Sequence, residues 1–154
     1  KYQISNIKFW IVGQEEKKGY LQQLLRRRTD IVLNVKFFGF VIDKRKFELI
    51  RRAWVLVHPS QKEGWGLTVI EAASQGTPTV GYLVGGLQDS VVHNKTGILT
   101  QTNPSALADG VIKIISSKKL YNTLSKNAMK WAVNFNWKKS GEESWKLLVK
   151  IWSS

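Results

Sequence analysis

His58-Pro59-Ser60-Gln61-Lys62-Glu63-Gly64-Trp65-Gly66-Leu67-Thr68-Val69-Ile70-Glu71-Ala72 joins an apolar run to a glycine-rich turn and then to a helical pattern. Glycines at a strand-to-helix junction let the backbone approach a ligand and adopt positive φ. The amides of Gly66, Leu67 and Thr68 then stand at the positive end of a helix dipole, which suits an anion such as phosphate. Within the helix, Thr68, Glu71 and Gln75 share a polar face at i, i+3, i+7, while Val69, Ile70, Ala72 and Ala73 face the core. Glu71 projects one turn from the helix start, and a carboxylate there accepts two hydrogen bonds from a vicinal diol such as ribose. Glu63 precedes the turn, within reach of a sugar hydroxyl beyond the phosphate.

Outward from this stretch, strand-like and helix-like segments alternate. Strands are predicted over residues 7–12, ending at Gly13, and over 34–38, closed by Gly39; a third covers 54–57 and ends at His58. A helix over about 16–28 follows the first strand. Asp43 is the expected N-cap of the helix carrying Phe47, Leu49, Ile50 and Ala53. After the glycine-rich motif, a strand is predicted at 78–82, a sharp Gly85-Gly86 turn into a short helix near 88–92, and a strand at 97–100. The rest is helical in pattern, over about 105–116 with Pro104 at N1, over 119–134, and after Asn136. Apolar strands alternating with amphipathic helices predict an α/β fold, a Rossmann-like parallel sheet with helices on both faces and its site beyond the carboxyl ends of the strands.

The 154 residues, 43% hydrophobic, suit one globular domain. No run approaches the roughly 20 apolar residues that span a bilayer. Absence of cysteine excludes a disulfide framework or a thiol nucleophile and fits a cytoplasmic protein. The formal charge of +13 is spread in small clusters, which fits a solvated basic surface or a membrane-facing patch. No nucleic-acid-binding motif accompanies the charge, so nucleic acid is not an expected partner. No Asp-x-Asp pair occurs, which argues against a carboxylate-held divalent cation on a diphosphate. His58, at a strand end, reads as a hydrogen-bonded structural histidine, and His93 has no ligand cluster around it.

Phe38-Gly39-Phe40, Arg52 through Ser60, Glu63-Gly64-Trp65-Gly66-Leu67, Glu71-Ala72, Gly76-Thr77-Pro78-Thr79-Val80, Gly85-Gly86-Leu87, Gly97-Ile98-Leu99 and Phe135-Asn136-Trp137 together resemble the C-terminal, donor-binding half of the retaining GT-B glycosyltransferases of family 4, also called glycosyl transferases group 1. The resemblance runs over nearly the whole chain. It implies a hexosyltransferase-type enzyme that moves a sugar from a UDP-, GDP- or ADP-sugar to a glycan or lipid-linked acceptor with retention of configuration, without a metal or other cofactor. It implies that Glu71 binds the ribose and that Glu63 lies by the donor sugar and takes part in transfer. Gly64, Trp65, Gly66 and Leu67 would contact sugar and diphosphate through their backbone, and Gly39, Phe40 and Val41 would lie near the base. Thr68 stands where proline is common in the family, adding a hydroxyl for the phosphate or for a helix cap.

The family's first strand of this domain, with its diphosphate-clamping Arg and Lys, and the N-terminal acceptor domain are expected upstream of Lys1. On that expectation, residues 1–154 form a single nucleotide-sugar-binding fragment, inert alone. A non-catalytic nucleotide-sugar or carbohydrate-binding module is the alternative. Trp145, Leu148, Val149 and Trp152 form an apolar stripe in the last helix, with Lys146 and Lys150 beside it. Contact with a second domain or peripheral docking on the cytoplasmic membrane face would each use such a stripe.

Overall fold

A computed structural model describes residues 7–15, 17, 19–26 and 34–153, so residues 16, 18, 27 and 28 of the expected first helix lie outside the described residues. The chain divides into two compact units, Lys1–Lys46 and Phe47–Ser154. Among the described residues the strands pair as two parallel sheets, β1-β2 and β3-β4-β5.

In the first unit, β1 (Phe9–Val12) and β2 (Val35–Gly39) place Phe9 opposite Val35 and Ile11 opposite Phe37, and a register shift after Ile11 brings Val12 opposite Gly39. Trp10 meets Phe38 edge-on at 5.8 Å, and Lys36 Nζ lies 4.9 Å from the centre of the Phe38 ring. The helix between these strands, α1 (Tyr20–Arg26), starts where the Glu15 carboxylate accepts the amides of Gly19 at 2.8 Å and Leu21 at 3.1 Å. That carboxylate satisfies amides which the start of a helix otherwise leaves orphaned.

The following helix, α2 (Asp43–Arg52), corrects one expectation. Asp43 is its first helical residue rather than its N-cap, because the Lys46 amide already closes on Ile42 O; the Asp43 carboxylate pairs with Lys46 Nζ at 3.2 Å.

The second unit is built on β3 (Leu56–His58), β4 (Thr79–Tyr82) and β5 (Gly97–Thr100), all parallel, with β4 central and fully buried. Its helices are α3 (Leu67–Ser74), α4 (Gly85–Ser90), α5 (Pro104–Ile115), α6 (Lys118–Ala132) and α7 (Trp137–Trp152). Alternation along β5 splits the core between two faces. Ile98 joins Val80, Tyr82, Leu107, Ile114 and Leu124 beneath α5 and α6, and Leu99 joins Val69, Leu87 and Val91 beneath α3 and α4. Each fully buried aliphatic side chain contributes about 1.5–3 kcal/mol. Small residues bring α3 and α6 together, with Ala73 against Ala128 and Ala132. Parallel strands with helices on both faces are therefore observed, as the alternating pattern predicts.

Further boundaries differ from expectation: β1 begins at Phe9 rather than Ile7, and α4 ends at Ser90 rather than Val92. β3 begins at Leu56, not Trp54, because the Ala53 amide is still held by α2 carbonyls while the Trp54 ring turns onto Tyr121 at 4.8 Å. Gly85 and Gly86 are the first residues of α4 rather than a turn before it. α6 ends at Ala132, two residues short of expectation. Asn103 holds Pro104 at N1 of α5 by accepting the Ala106 amide at 2.8 Å.

Candidate functional site

β3 delivers the chain into the glycine-rich turn at the carboxyl edge of the sheet, with His58 opposite Gly81. Gly66 is the N-cap of α3 and sits in the left-handed region at φ 80°, ψ 60°. A Cβ at that position would also press on Leu87 Cδ2 at 3.0 Å and Val69 Cγ2 at 3.2 Å, so glycine is required twice over. The Val69 amide closes on Gly66 O at 2.8 Å, and no side chain caps the helix. The amides of Leu67 and Thr68 are thus left at the open, positive end of α3. Gly66, not Thr68, is the N-cap of α3, and no side-chain cap hydrogen bond is made there. Thr68 and Leu67 are exposed, Glu71 is half-buried one turn along, and Val69, Ala72 and Ala73 are buried.

The loop ahead of the helix is pinned from behind. The Gly86 amide donates to Glu63 O at 3.1 Å, and a Cβ on Gly86 would collide with the carbonyls of Glu63 and Gly64. The Glu63 carboxylate faces His58, with Oε2 3.4 Å from Nε2. Trp65 lies edge-on to Phe135 at 5.3 Å, Phe135 to Trp131 at 5.1 Å, and the Trp131 indole N–H donates to Ser90 O at 3.0 Å. This aromatic relay escaped sequence reasoning, although Trp131 and Phe135 stand four apart and Phe135 opens the segment before α7.

The second unit thus brings Glu63, Gly64, Trp65, Gly66, Leu67, Thr68 and Glu71 into one continuous turn and helix start. Gly39, Phe40 and Val41 belong to the first unit, where Gly39 closes β2 at φ 63° and Phe40 is 77% exposed. His93 has a structural use, its Nδ1 accepting the Leu99 amide at 3.0 Å.

Residues 1–131 match the model of the family described as glycosyl transferases group 1. The chain belongs to that family. An uncharacterized glycosyltransferase of Methanocaldococcus jannaschii is 33% identical over 126 residues, covering 81% of this chain and 32% of the relative. Among solved structures, the sucrose-phosphate synthase of Thermosynechococcus elongatus superposes with a TM-score of 0.88 at 27% identity, over 98% of this chain and 40% of that one. Anabaena HepE, solved in complex with UDP-glucose, gives a TM-score of 0.84 at 25% identity over 95% and 42%. The chain therefore spans about a third of the length of that curated relative. This group 1 glycosyltransferase chain has the GT-B type of α/β architecture.

Proposed function

We propose that the chain is the donor-binding half of a retaining, family 4, hexosyltransferase-type glycosyltransferase that transfers a sugar from a nucleotide-sugar to a glycan or lipid-linked acceptor. The observation that carries this reading is the left-handed Gly66 turn, which opens the uncapped start of α3 between Glu63 and Glu71. In this reading the amides of Leu67 and Thr68 and the helix dipole hold the diphosphate and stabilise its charge as the glycosidic bond lengthens toward an oxocarbenium-like state. Glu71 takes the ribose diol, and the Glu63 carboxylate lies beside the donor sugar. The domain spans both compact units, as the reach of the family match supports. The enzyme works without a metal and in the cytoplasm, and the acceptor is held by a further domain. HepE's complex with UDP-glucose supports a nucleotide-sugar as the ligand class.

Amide-resolved NMR titration with UDP-, GDP- and ADP-sugars tests this. Shifts are expected to centre on residues 64–71 with one nucleotide, and Glu71→Ala is expected to weaken that binding about ten- to a hundredfold, the worth of a charge-assisted hydrogen bond at 1.5–3 kcal/mol. Unchanged affinity in Glu71→Ala would remove the ribose role.

The last helix carries its own expectation. No residue of α7 is buried, and Trp145, Leu148 and Trp152 are 67%, 61% and 94% exposed. We propose that this face packs against the acceptor-binding part of a longer glycosyltransferase. The chain is then expected to stay with the dense fraction when floated with phosphatidylglycerol vesicles; co-flotation that Trp152→Ser abolishes would favour membrane docking instead.

A further inference from the structure

His58 ends β3 with its side chain only 14% exposed, and its Nδ1 is buried with no hydrogen-bond partner. Its Nε2 lies 3.4 Å from Glu63 Oε2. A neutral imidazole carries one N–H and one lone pair, and the two tautomers differ in which nitrogen has which. With the proton on Nδ1, a donor would be buried without an acceptor, and the Nε2 lone pair would face a carboxylate. With the proton on Nε2, the donor meets the carboxylate and only a lone pair is left orphaned. The second arrangement leaves one group unmet rather than two, and each unmet buried donor or acceptor costs about 1–3 kcal/mol.

The backbone beneath the ring is fixed. His58 lies opposite Gly81, where even a Cβ would come within 3.2 Å of His58 O and 3.6 Å of His58 Cβ. Glu63, by contrast, is carried on a loop, and holding its carboxylate to one rotamer requires an anchor on something more rigid. Among the described residues, the Glu63 side chain meets His58 through Oε2, and it is 26% exposed.

We infer that His58 is a positioning residue: as the Nε2–H tautomer it donates to Glu63 Oε2 and aims Oε1 at the hydroxyl of a bound donor sugar. The aiming rests on the proposed nucleotide-sugar site, whereas the hydrogen bond does not. Two measurements on this chain separate them. Long-range proton–nitrogen correlation of the His58 ring is expected to show a protonated Nε2 and a bare Nδ1, with both nitrogens shifting in Glu63→Gln. An Nδ1–H tautomer, or a ring indifferent to Glu63→Gln, overturns the inference whatever the ligand.

Titrations with UDP-glucose and with UDP then read the aiming. His58→Phe is expected to weaken UDP-glucose about three- to tenfold while leaving UDP unchanged, the range of one net hydrogen bond. His58→Gln, whose amide nitrogen reaches a similar position, is expected to restore most of the loss. Equal loss for both ligands, or no loss for either, overturns the positioning role. Failure of the unaltered chain to bind either ligand overturns the aiming together with the nucleotide-sugar reading, and the ring spectrum still decides the hydrogen bond.

Discussion

Gly86→Ala is expected to lower the melting temperature by roughly 10 °C and to abolish nucleotide-sugar binding, while Gly85→Ala, one residue earlier, leaves both nearly unchanged. The contrast follows from where each methyl group would land. At Gly86 it would strike the carbonyls of Glu63 and Gly64, and at Gly85 it would meet nothing within 4 Å. The collision is with backbone, which has no rotamer by which to escape. Either α4 lifts away, against the hydrogen bonds of Leu87 and Gln88 to Val84 O, or the Glu63 loop shifts and loses its bond to the Gly86 amide. Overpacking of this kind together with one lost hydrogen bond amounts to about 3 kcal/mol. Circular dichroism melts of the two variants decide the matter, and equal melting temperatures would show that the loop is not braced from behind.

Leu87→Ala should cost still more in urea titration, about 3–4 kcal/mol, within the range of fully buried leucines cut to alanine. Leu87 is 0% exposed and packs in one cluster with Val69, Val91 and Leu99. Its two methyl groups lie beneath the positions where Gly66 and Gly81 lack a Cβ. Truncation therefore opens a cavity directly under the left-handed turn that starts α3, and binding is expected to weaken along with stability. Leu83→Ala is the control, since Leu83 is 54% exposed and its loss is expected to stay below about 1 kcal/mol. A loss below 1 kcal/mol for Leu87→Ala itself would mean that the second cluster does not support the turn.

Much of this was legible in local pattern. Short strand-like segments at 78–82 and 97–100 located β4 and β5, Pro104 announced α5, and in α3 Thr68 is exposed and Val69, Ala72 and Ala73 buried as read, whereas Glu71 and Ile70 are both half-buried. Trp54 and Val55 were misread as strand because a short apolar run carries no mark of whether its first residue pairs with a strand or packs on a helix. Gly85 and Gly86 were read as a turn because glycine is a poor helix former, and the reason for it in α4 is a loop more than twenty residues earlier. Long-range contacts set the remaining site features as well. The Trp65–Phe135 stack joins residues seventy apart, and His58 facing Glu63 depends on how the loop folds back on β3.

The Trp65–Phe135–Trp131 relay also bears on where this protein can be divided. The match to the family model stops at residue 131, yet Phe135, the ring against which Trp65 leans, lies beyond it, in a stretch that the sucrose-phosphate synthase superposition still covers. A chain trimmed at residue 131 would therefore keep every residue of the glycine-rich turn and lose the ring that stands against Trp65.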